Sequence, residues 1–247
     1  MRSLKLTVAY DGTRYAGWQI QPELPTVQAE LERAWRQITG EMVRLTASGR
    51  TDAGVHAWGQ VAGVNTASEL APERLERGLN AVLPDDIIVR EITDAPANFH
   101  ATHDALRKTY RYLIHSSTIR PLFDRPYVWH VPTPLDTEAM HGAGQGLVGR
   151  HDFASFESTG SERSSTVRTI TRLDVERGTD LPQRITIEVE GDGFLYNMVR
   201  TIVGTLVEVG RGSRPESWPA EVLAARDRRQ AGQTAPPQGL CLWRVEY

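Results

Sequence analysis

The chain has 247 residues, of which 40% are hydrophobic and 24% charged, with a formal net charge of −3 and a single cysteine, Cys241. These values exclude a disordered chain, a collagen, a disulfide-rich small protein and a grossly basic histone-like protein. One cysteine allows neither an intrachain disulfide nor a zinc site built on paired thiolates, and it favours a reducing, cytoplasmic location. No stretch approaches the ~20 apolar residues of a membrane span, and no secretory signal is evident.

The first part of the chain alternates predicted strands and helices. Apolar alternation predicts a strand over 4–10 that ends at Asp11-Gly12. Helical spacing of apolar residues from Val27 to Ile38 predicts a helix with Thr26 as N-cap and Gly40 as its stop. The elements that follow are strands over 42–47 and 60–64 around a loop over 48–56, a helix from Pro72, and a short strand over 87–90.

The second part repeats this interleaving. A strand over 105–115 carries Tyr110 and Tyr112 on one face, and further strands are predicted over 128–131, 167–176, 184–190 and 240–245. The strands over 167–176 and 184–190 form a predicted hairpin, and helices are predicted over 136–147, 194–209 and 218–228. The order predicts an α+β fold with two comparable halves, 1–104 and 105–247, joined without a linker. Such halves generally share an interface where a cleft forms.

The loop with the sequence Ser48-Gly-Arg-Thr-Asp-Ala-Gly-Val-His-Ala57 is the most informative segment. Its glycines allow a sharp turn and the close approach of a ligand. Asp52 is the only carboxylate between Glu41 and Glu69, and Arg50 lies two residues before it, which favours the ionised form. A positioned carboxylate can act as nucleophile, general base or metal ligand. The structural alternative is an Asx-turn in which Asp52 caps its own loop.

Histidines are the other candidates for proton transfer or metal binding. His56 lies in the same loop, where it is either a general base or a packing residue. His100, His103 and His151 are not accompanied by an H-E-x-x-H or Cys/His pattern, so no metal is expected.

The motifs of this chain resemble those of the tRNA pseudouridine synthase A (TruA) family almost from end to end. The matching segments are Tyr10-Asp-Gly-Thr-Arg-Tyr-Ala-Gly-Trp-Gln19, the loop over 48–57, Leu79-Asn-Ala-Val-Leu-Pro84, Phe99-His-Ala101, Tyr110-Arg-Tyr112, His151-Asp-Phe-Ala-Ser-Phe156, the segment Phe194 to Gly204, Arg226-Asp-Arg228, and Ala231 to Pro237. Their joint order and spacing make the resemblance specific.

This resemblance implies a fold of two similar halves that form a mixed, largely antiparallel sheet flanked by helices, with a central cleft. It implies an isomerase that converts uridine to pseudouridine at positions 38, 39 and 40 of the tRNA anticodon stem-loop. The expected partner is the anticodon arm of tRNA, the expected assembly is a homodimer, and neither cofactor, metal nor membrane is expected to take part.

The resemblance also implies roles for single residues. Asp52 matches the catalytic aspartate, and Arg50 matches an arginine thought to hold or replace the flipped nucleotide. Tyr110 matches a tyrosine that packs on the target base, and Arg200 matches an arginine that pairs with the catalytic carboxylate. Without the resemblance, Tyr110 would be read as a core tyrosine of a strand and Arg200 as part of the solvated face of a helix.

One position departs from the family pattern. Relatives commonly read Phe-His-Ala-Arg where this chain has Phe99-His-Ala-Thr102, so the positive charge that relatives have at this position is missing here. Arg107 and Lys108 lie a few residues further on and are candidates to compensate for the missing charge.

Pseudouridine formation breaks the N1–C1′ bond and joins C5 to C1′ without gain or loss of atoms, so a redox cofactor or an activated water would serve no purpose. The reaction does need a carboxylate beside the sugar. Attack at C1′, attack at C6 and removal of the 2′ proton in a glycal route all remain open from sequence. Two other functions compete with this one. A catalytically silent RNA-binding or folding-assistant protein would not need Asp52, and a metal-dependent hydrolase would be inhibited by a chelator.

Overall fold

The computed structural model describes residues 1–158 and 165–247 and divides the chain into two compact units. The first unit comprises Met1–Leu106 together with Cys241–Tyr247, and the second comprises Arg107–Leu240. The predicted halves, 1–104 and 105–247, differ from these units mainly at the C-terminus. The last strand belongs to the first unit because Cys241 pairs with His56 in a parallel ladder.

The first unit is a mixed sheet with two helices. Its strands are β1 (Arg2–Tyr10), β2 (Thr46–Ala47), β3 (His56–Thr66), β4 (Ile87–Ala95) and β10 (Leu240–Glu246), and its helices are α1 (Val27–Thr39) and α2 (Pro72–Asn80). The strand order is β4-β1-β3-β10, with β2 on β3. The pairs β1–β3, β1–β4 and β2–β3 are antiparallel, whereas β3–β10 is parallel.

The core of this unit follows the predicted alternation. Leu4, Leu6, Val8 and Tyr10 of β1 are all buried. The apolar stripes of α1 and α2 are buried as well, through Leu31, Trp35, Leu75 and Leu79. Each such side chain contributes roughly 1.5–3 kcal/mol when it leaves water, so the strand that leads into the Tyr10 motif is firmly anchored.

The second unit is built in a similar way. Its strands are β5 (Arg107–Ser116), β6 (Trp129–Val131), β7 (Gly149–Asp152), β8 (Val167–Arg177) and β9 (Arg184–Gly191), and its helices are α3 (Thr137–Gln145), α4 (Met198–Gly210) and α5 (Trp218–Ala225). The order β5-β9-β8-β7 is antiparallel throughout, and β6 runs parallel to β5. The predicted hairpin, the α+β class and the largely antiparallel pairing are confirmed.

Several predicted elements are shorter than their sequence patterns indicated. The helix predicted over 136–147 spans Thr137–Gln145, and the helix predicted over 218–228 ends at Ala225, because Arg226 has a left-handed φ of 50°. The helix predicted from Phe194 begins at Met198, because Asn197 has the left-handed φ of 60° that interrupts a helix. The strand predicted over 42–47 is reduced to β2, because α1 takes the backbone groups of Leu45. Glu32 accepts from the Leu45 N–H at 2.9 Å, and Gln28 donates to its carbonyl at 3.0 Å.

Across the described ranges, no helix combines the length and apolar character needed to cross a membrane.

Candidate active site

The loop between β2 and β3 carries Asp52, and the segment that follows β1 packs along it. The Trp18 N–H donates to the Thr51 carbonyl at 3.0 Å, and the Gly54 N–H donates to the Tyr15 carbonyl at 3.3 Å. The first two motifs of the N-terminal part, 10–19 and 48–57, are therefore joined through their backbones.

Glycine is required where these backbones touch. Gly17 has a φ of +98°, and a Cβ on it would lie 2.5 Å from the Thr51 carbonyl oxygen. A Cβ on Gly12 would lie 2.0 Å from the carbonyl oxygen of Val55. Both distances are far below a tolerable contact, so the loop can lie this close only to residues without side chains.

His56 closes the loop from its C-terminal side. Its side chain is buried, and its Nδ1 accepts a hydrogen bond from the Gly12 N–H at 3.0 Å. The same nitrogen lies 3.1 Å from Oδ1 of Asp11. While Nδ1 accepts from the backbone it cannot take a proton from a substrate, so the geometry favours the packing role for this histidine over that of a general base acting through Nδ1.

Asp52 is half-buried and Arg50 is exposed, and the structure places both on this one loop. The Val55 N–H donates to the Asp52 carbonyl oxygen at 3.1 Å, so the backbone turns tightly directly after Asp52. That bond joins two main-chain groups.

Tyr110 lies in β5 of the second unit. Its side chain is 8% exposed, and its ring meets Phe194 edge-on, with centroids 5.1 Å apart and planes at 87°. Phe194 stands just before α4, where the left-handed Asn197 turns the chain. The ring is thus held by an aromatic neighbour in a geometry that aromatic pairs favour.

Arg200 occupies the first turn of α4, and its guanidinium is tied to its own unit. Nε donates to the Ala235 carbonyl at 2.7 Å, and Nη1 donates to Oδ1 of Asn197 at 2.7 Å. The Tyr112 hydroxyl donates to the next carbonyl, that of Pro236, at 2.7 Å, and burial raises the pKa of Tyr112 above its ordinary value. The segment over 231–237 is therefore fixed to α4 and β5 by side chains from each.

Thr102, the position that departs from the family pattern, is engaged within the first unit. Its hydroxyl donates to the Ala47 carbonyl at 2.7 Å, and its N–H donates to Nδ1 of His100 at 3.2 Å. Its side chain therefore ties the 100–104 turn to β2 at a place where an arginine would present a charge.

Sequence reasoning missed the residues that support the loop from below, Tyr10 and Gln60, whose hydrogen bonds reach Ser48, Gly49 and Thr51. A polar residue at a strand position facing apolar neighbours was the signal that could have found Gln60. Among residues 1–158 and 165–247, no three histidine, cysteine or carboxylate side chains are grouped as a metal site would need.

A family model described as tRNA pseudouridine synthase matches residues 6–104 and 143–247, a range that includes the Asp52 loop and α4. The chain belongs to the tRNA pseudouridine synthase family. The relatives that it resembles are named tRNA pseudouridine synthase A. One from a Geobacillus species is 48% identical over all of this chain and 98% of the relative, and one from Moorella thermoacetica is 48% identical over the whole of both.

A third relative, from Brevibacillus brevis, is 47% identical over the full length of both chains. Among solved structures, a chain from a Cbf5-Nop10-Gar1 complex is similar at 14% identity with a TM-score of 0.37, over 83% of this chain and 45% of that one. The tRNA pseudouridine synthases are isomerases. The Asp52 loop lies within the range that the family model matches.

Proposed function

We propose that this protein isomerises uridine to pseudouridine at positions 38, 39 and 40 of the tRNA anticodon stem-loop, with Asp52 as the catalytic carboxylate. The full-length similarity to relatives named tRNA pseudouridine synthase A carries the proposal. The geometry of the loop supports it, because hydrogen bonds and close backbone contacts hold the chain on either side of Asp52.

The reaction needs a carboxylate that stands beside the sugar of the target nucleoside. The N1–C1′ bond breaks, the uracil turns, C5 joins C1′, and the proton lost from C5 is balanced by one gained at N1. Asp52 serves this reaction by addition to C1′, by addition to C6, or by removal of the 2′ proton, and these three routes stay open. A half-buried carboxylate on a loop whose backbone is hydrogen-bonded to the segment after β1 meets the geometric demand that all three routes share.

The target base must leave its stack before it can react, which costs a few kcal/mol. We assign Tyr110 to the flipped base, because stacking on an aromatic ring is worth about 1–3 kcal/mol per base. The edge-on contact with Phe194 fixes the plane of the Tyr110 ring, so the ring is already oriented before the flipped base binds.

The two arginines receive different roles. Arg50 is exposed on the loop of Asp52, and we assign it to holding or replacing the flipped nucleotide. Arg200 is assigned to pairing with the Asp52 carboxylate, and its local bonds to Ala235 and Asn197 keep the guanidinium oriented. The proposal further includes the anticodon arm of tRNA as the partner and the cytoplasm as the location. It also includes a homodimer, which sedimentation of the purified protein tests.

Mapping of the product tests the proposal. The purified protein is incubated with an unmodified tRNA transcript that has uridines at 38, 39 and 40, and pseudouridine is located by chemical labelling and primer extension. A matched transcript with cytidine at these positions is the control. We expect pseudouridine at 38–40 of the first transcript and none in the control. Modification elsewhere, or none with a competent protein, contradicts the proposal.

A further inference from the structure

A glutamine side chain is completely buried in β3 directly after the Asp52 loop. Gln60 is 0% exposed, and its neighbours along the strand, Val61, Ala62 and Val64, are buried apolar residues. An amide placed among apolar groups costs free energy unless all of its polar atoms are bonded. The groups that bind the Gln60 amide therefore explain why a glutamine stands at this buried position.

The amide of Gln60 binds the beginning of the Asp52 loop at two successive residues. Its Oε1 accepts from the Ser48 hydroxyl at 2.7 Å, and its Nε2 donates to the Gly49 carbonyl at 2.8 Å. The Ser48 N–H also donates to the Val61 carbonyl at 2.7 Å. Residues 48 and 49 are thus fixed to β3 by one side chain and by the adjacent backbone.

Tyr10 extends this support to the residue before Asp52. Its hydroxyl lies 2.7 Å from Oγ1 of Thr51, and the Gln60 Nε2 lies 3.5 Å from the same hydroxyl, a long contact. Burial raises the pKa of Tyr10 above its ordinary value, so the hydroxyl keeps its proton and can donate it to Thr51 while it faces the amide. We call Gln60, Tyr10, Ser48, Gly49 and Thr51 the loop support.

An irregularity in the sheet brings these groups together. In the ladder between β1 and β3, Val8 is opposite Gln60 whereas Tyr10 is opposite Ala57, so β3 contains one residue more than β1 at this point. Such bulges bend a strand and redirect its side chains, and they are common beside active sites. Here the bulge places Gln60 opposite Val8 and Ala57 opposite Tyr10, in the part of β3 that follows the Asp52 loop.

We propose that Gln60 is a positioning residue for Asp52, and that it acts with Tyr10 through the backbone of residues 48–51. Asp52 follows directly on Thr51, so a shift of the supported residues moves the carboxylate relative to the sugar that it must reach. Gln60 touches no substrate in this account. The inference rests on the proposed function, in which Asp52 is the catalytic carboxylate.

Replacement of Gln60 by methionine tests the inference, because Gln60→Met keeps the length of the side chain and removes its hydrogen bonds. Misplacement of a reacting group by about 1 Å can cost roughly 100-fold in rate, so we expect kcat for tritium release from [5-³H]uridine-labelled tRNA to fall by about 10- to 100-fold. KM is expected to stay within about threefold, since the RNA contacts are unchanged.

Asn80 provides a matched control, because its amide also clamps backbone in the same unit. Nδ2 donates to the Val89 carbonyl at 2.7 Å, and Oδ1 accepts from the Val89 N–H at 2.8 Å, which fixes α2 to β4. Asn80→Leu is expected to lower the melting temperature and leave kcat per folded molecule unchanged. Tyr10→Phe, which removes one hydroxyl from the loop support, is expected to lower kcat less than Gln60→Met does.

Wild-type kcat in Gln60→Met, or an equal fall of kcat in Asn80→Leu, overturns the inference. Should Gln60→Met not fold, Tyr10→Phe decides, because wild-type kcat in that variant also overturns it. Asp52→Asn is assayed beside these variants. Normal tritium release by Asp52→Asn would contradict the proposed function itself. An inactive Asp52→Asn together with a fully active Gln60→Met would contradict only the positioning role of Gln60.

Discussion

In the first unit, side chains hold the backbone of the loop that carries Asp52, whereas in the second unit the backbone holds the side chain of Arg200. The side chains of Gln60 and Tyr10 form hydrogen bonds to residues of the 48–51 segment, and Gly17 allows the segment after β1 to lie close to the Thr51 carbonyl. Arg200 instead donates its own Nε to the Ala235 carbonyl. The position of the Asp52 carboxylate is therefore sensitive to substitutions at residues that do not contact it. The position of the Arg200 guanidinium is sensitive mainly to changes at its own hydrogen-bond partners.

The largest effect is expected from a substitution at Gly204 of α4, which disturbs the backbone that holds Arg200 in the second unit. A Cβ there would lie 1.7 Å from the Gln233 carbonyl oxygen. Gly204→Ala must displace the 231–237 segment and with it the carbonyl that binds Arg200, so we expect a loss of about 3 kcal/mol in the free energy of unfolding, measured by urea denaturation.

Gly78 is the matched helical control, because a Cβ on it would lie no closer than 3.2 Å to any side-chain atom, the nearest being in Ile38. Gly78→Ala is expected to change stability by less than about 1 kcal/mol, since alanine is the better helix former. Equal losses in the two variants would show that the 231–237 segment does not need the close approach to α4.

The next largest effect is expected from a substitution at Gly17, which disturbs the packing of the segment after β1 against the Asp52 loop in the first unit. Gly17→Ala combines a φ of +98° with a contact of 2.5 Å to the Thr51 carbonyl oxygen, so we expect a loss of about 2–3 kcal/mol and a further fall in kcat as the loop shifts. Gly40→Ala, at a φ of +77° with nothing within 4 Å, reports the backbone strain alone, about 1–2 kcal/mol. Identical kcat in these two variants would contradict a loop fixed by contact.

A smaller effect is expected at Arg200 itself. Arg200→Lys removes the Nε that donates to Ala235 and leaves one charge in place. We expect a loss of about 1.5 kcal/mol in stability, the lower end of the range for a hydrogen bond to a charged group, together with reduced tritium release. Arg211→Lys, in an exposed ion pair with Glu208, is the control and should stay within about 0.5 kcal/mol of the wild type. A fully active and stable Arg200→Lys would show that the guanidinium fork is not needed.

The smallest effect concerns pH and Asp152, in the second unit. The Thr166 hydroxyl donates to Asp152 at 2.5 Å and lowers its pKa below the ordinary value of 3.8. The unfolded chain therefore takes up this proton at higher pH than the folded chain does. The stability that Asp152 contributes is complete above the ordinary pKa and is lost as the pH falls through it towards the folded value.

We expect Asp152→Asn to flatten the dependence of unfolding free energy on pH between about pH 5 and pH 3. Asp180→Asn, at an exposed position of the same unit, should leave that dependence unchanged. Parallel curves for wild type and Asp152→Asn over this range would contradict the role of the Thr166 bond.

Much of the fold could be predicted because local patterns and packing agree. Leu4, Leu6 and Val8 alternate towards one face and are buried, and Gly40 ends α1 with the left-handed φ of 77° expected of a helix stop. Prediction was wrong where distant groups decide the backbone. Glu32 and Gln28 take the backbone groups of Leu45, so that the predicted strand shrinks to β2.

The candidate site divides along the same line. The loop with Asp52 and Arg50 was predicted from consecutive residues, and the structure does place both on one loop. The support by Gln60 and Tyr10 was not predicted, because those bonds join residues that are 11 to 50 positions apart. A glutamine within an apolar strand shows no periodicity that would indicate which loop it binds.

The central claim is that Asp52 carries the chemistry, and tritium release from [5-³H]uridine-labelled tRNA measures it directly. Asp52→Asn keeps the size of the side chain and removes its charge, and Asp85→Asn makes the same change at an exposed position of the first unit. We predict that Asp85→Asn releases tritium at the wild-type rate and that Asp52→Asn releases none above background while it still binds tRNA. Release at the wild-type rate by Asp52→Asn would contradict the account.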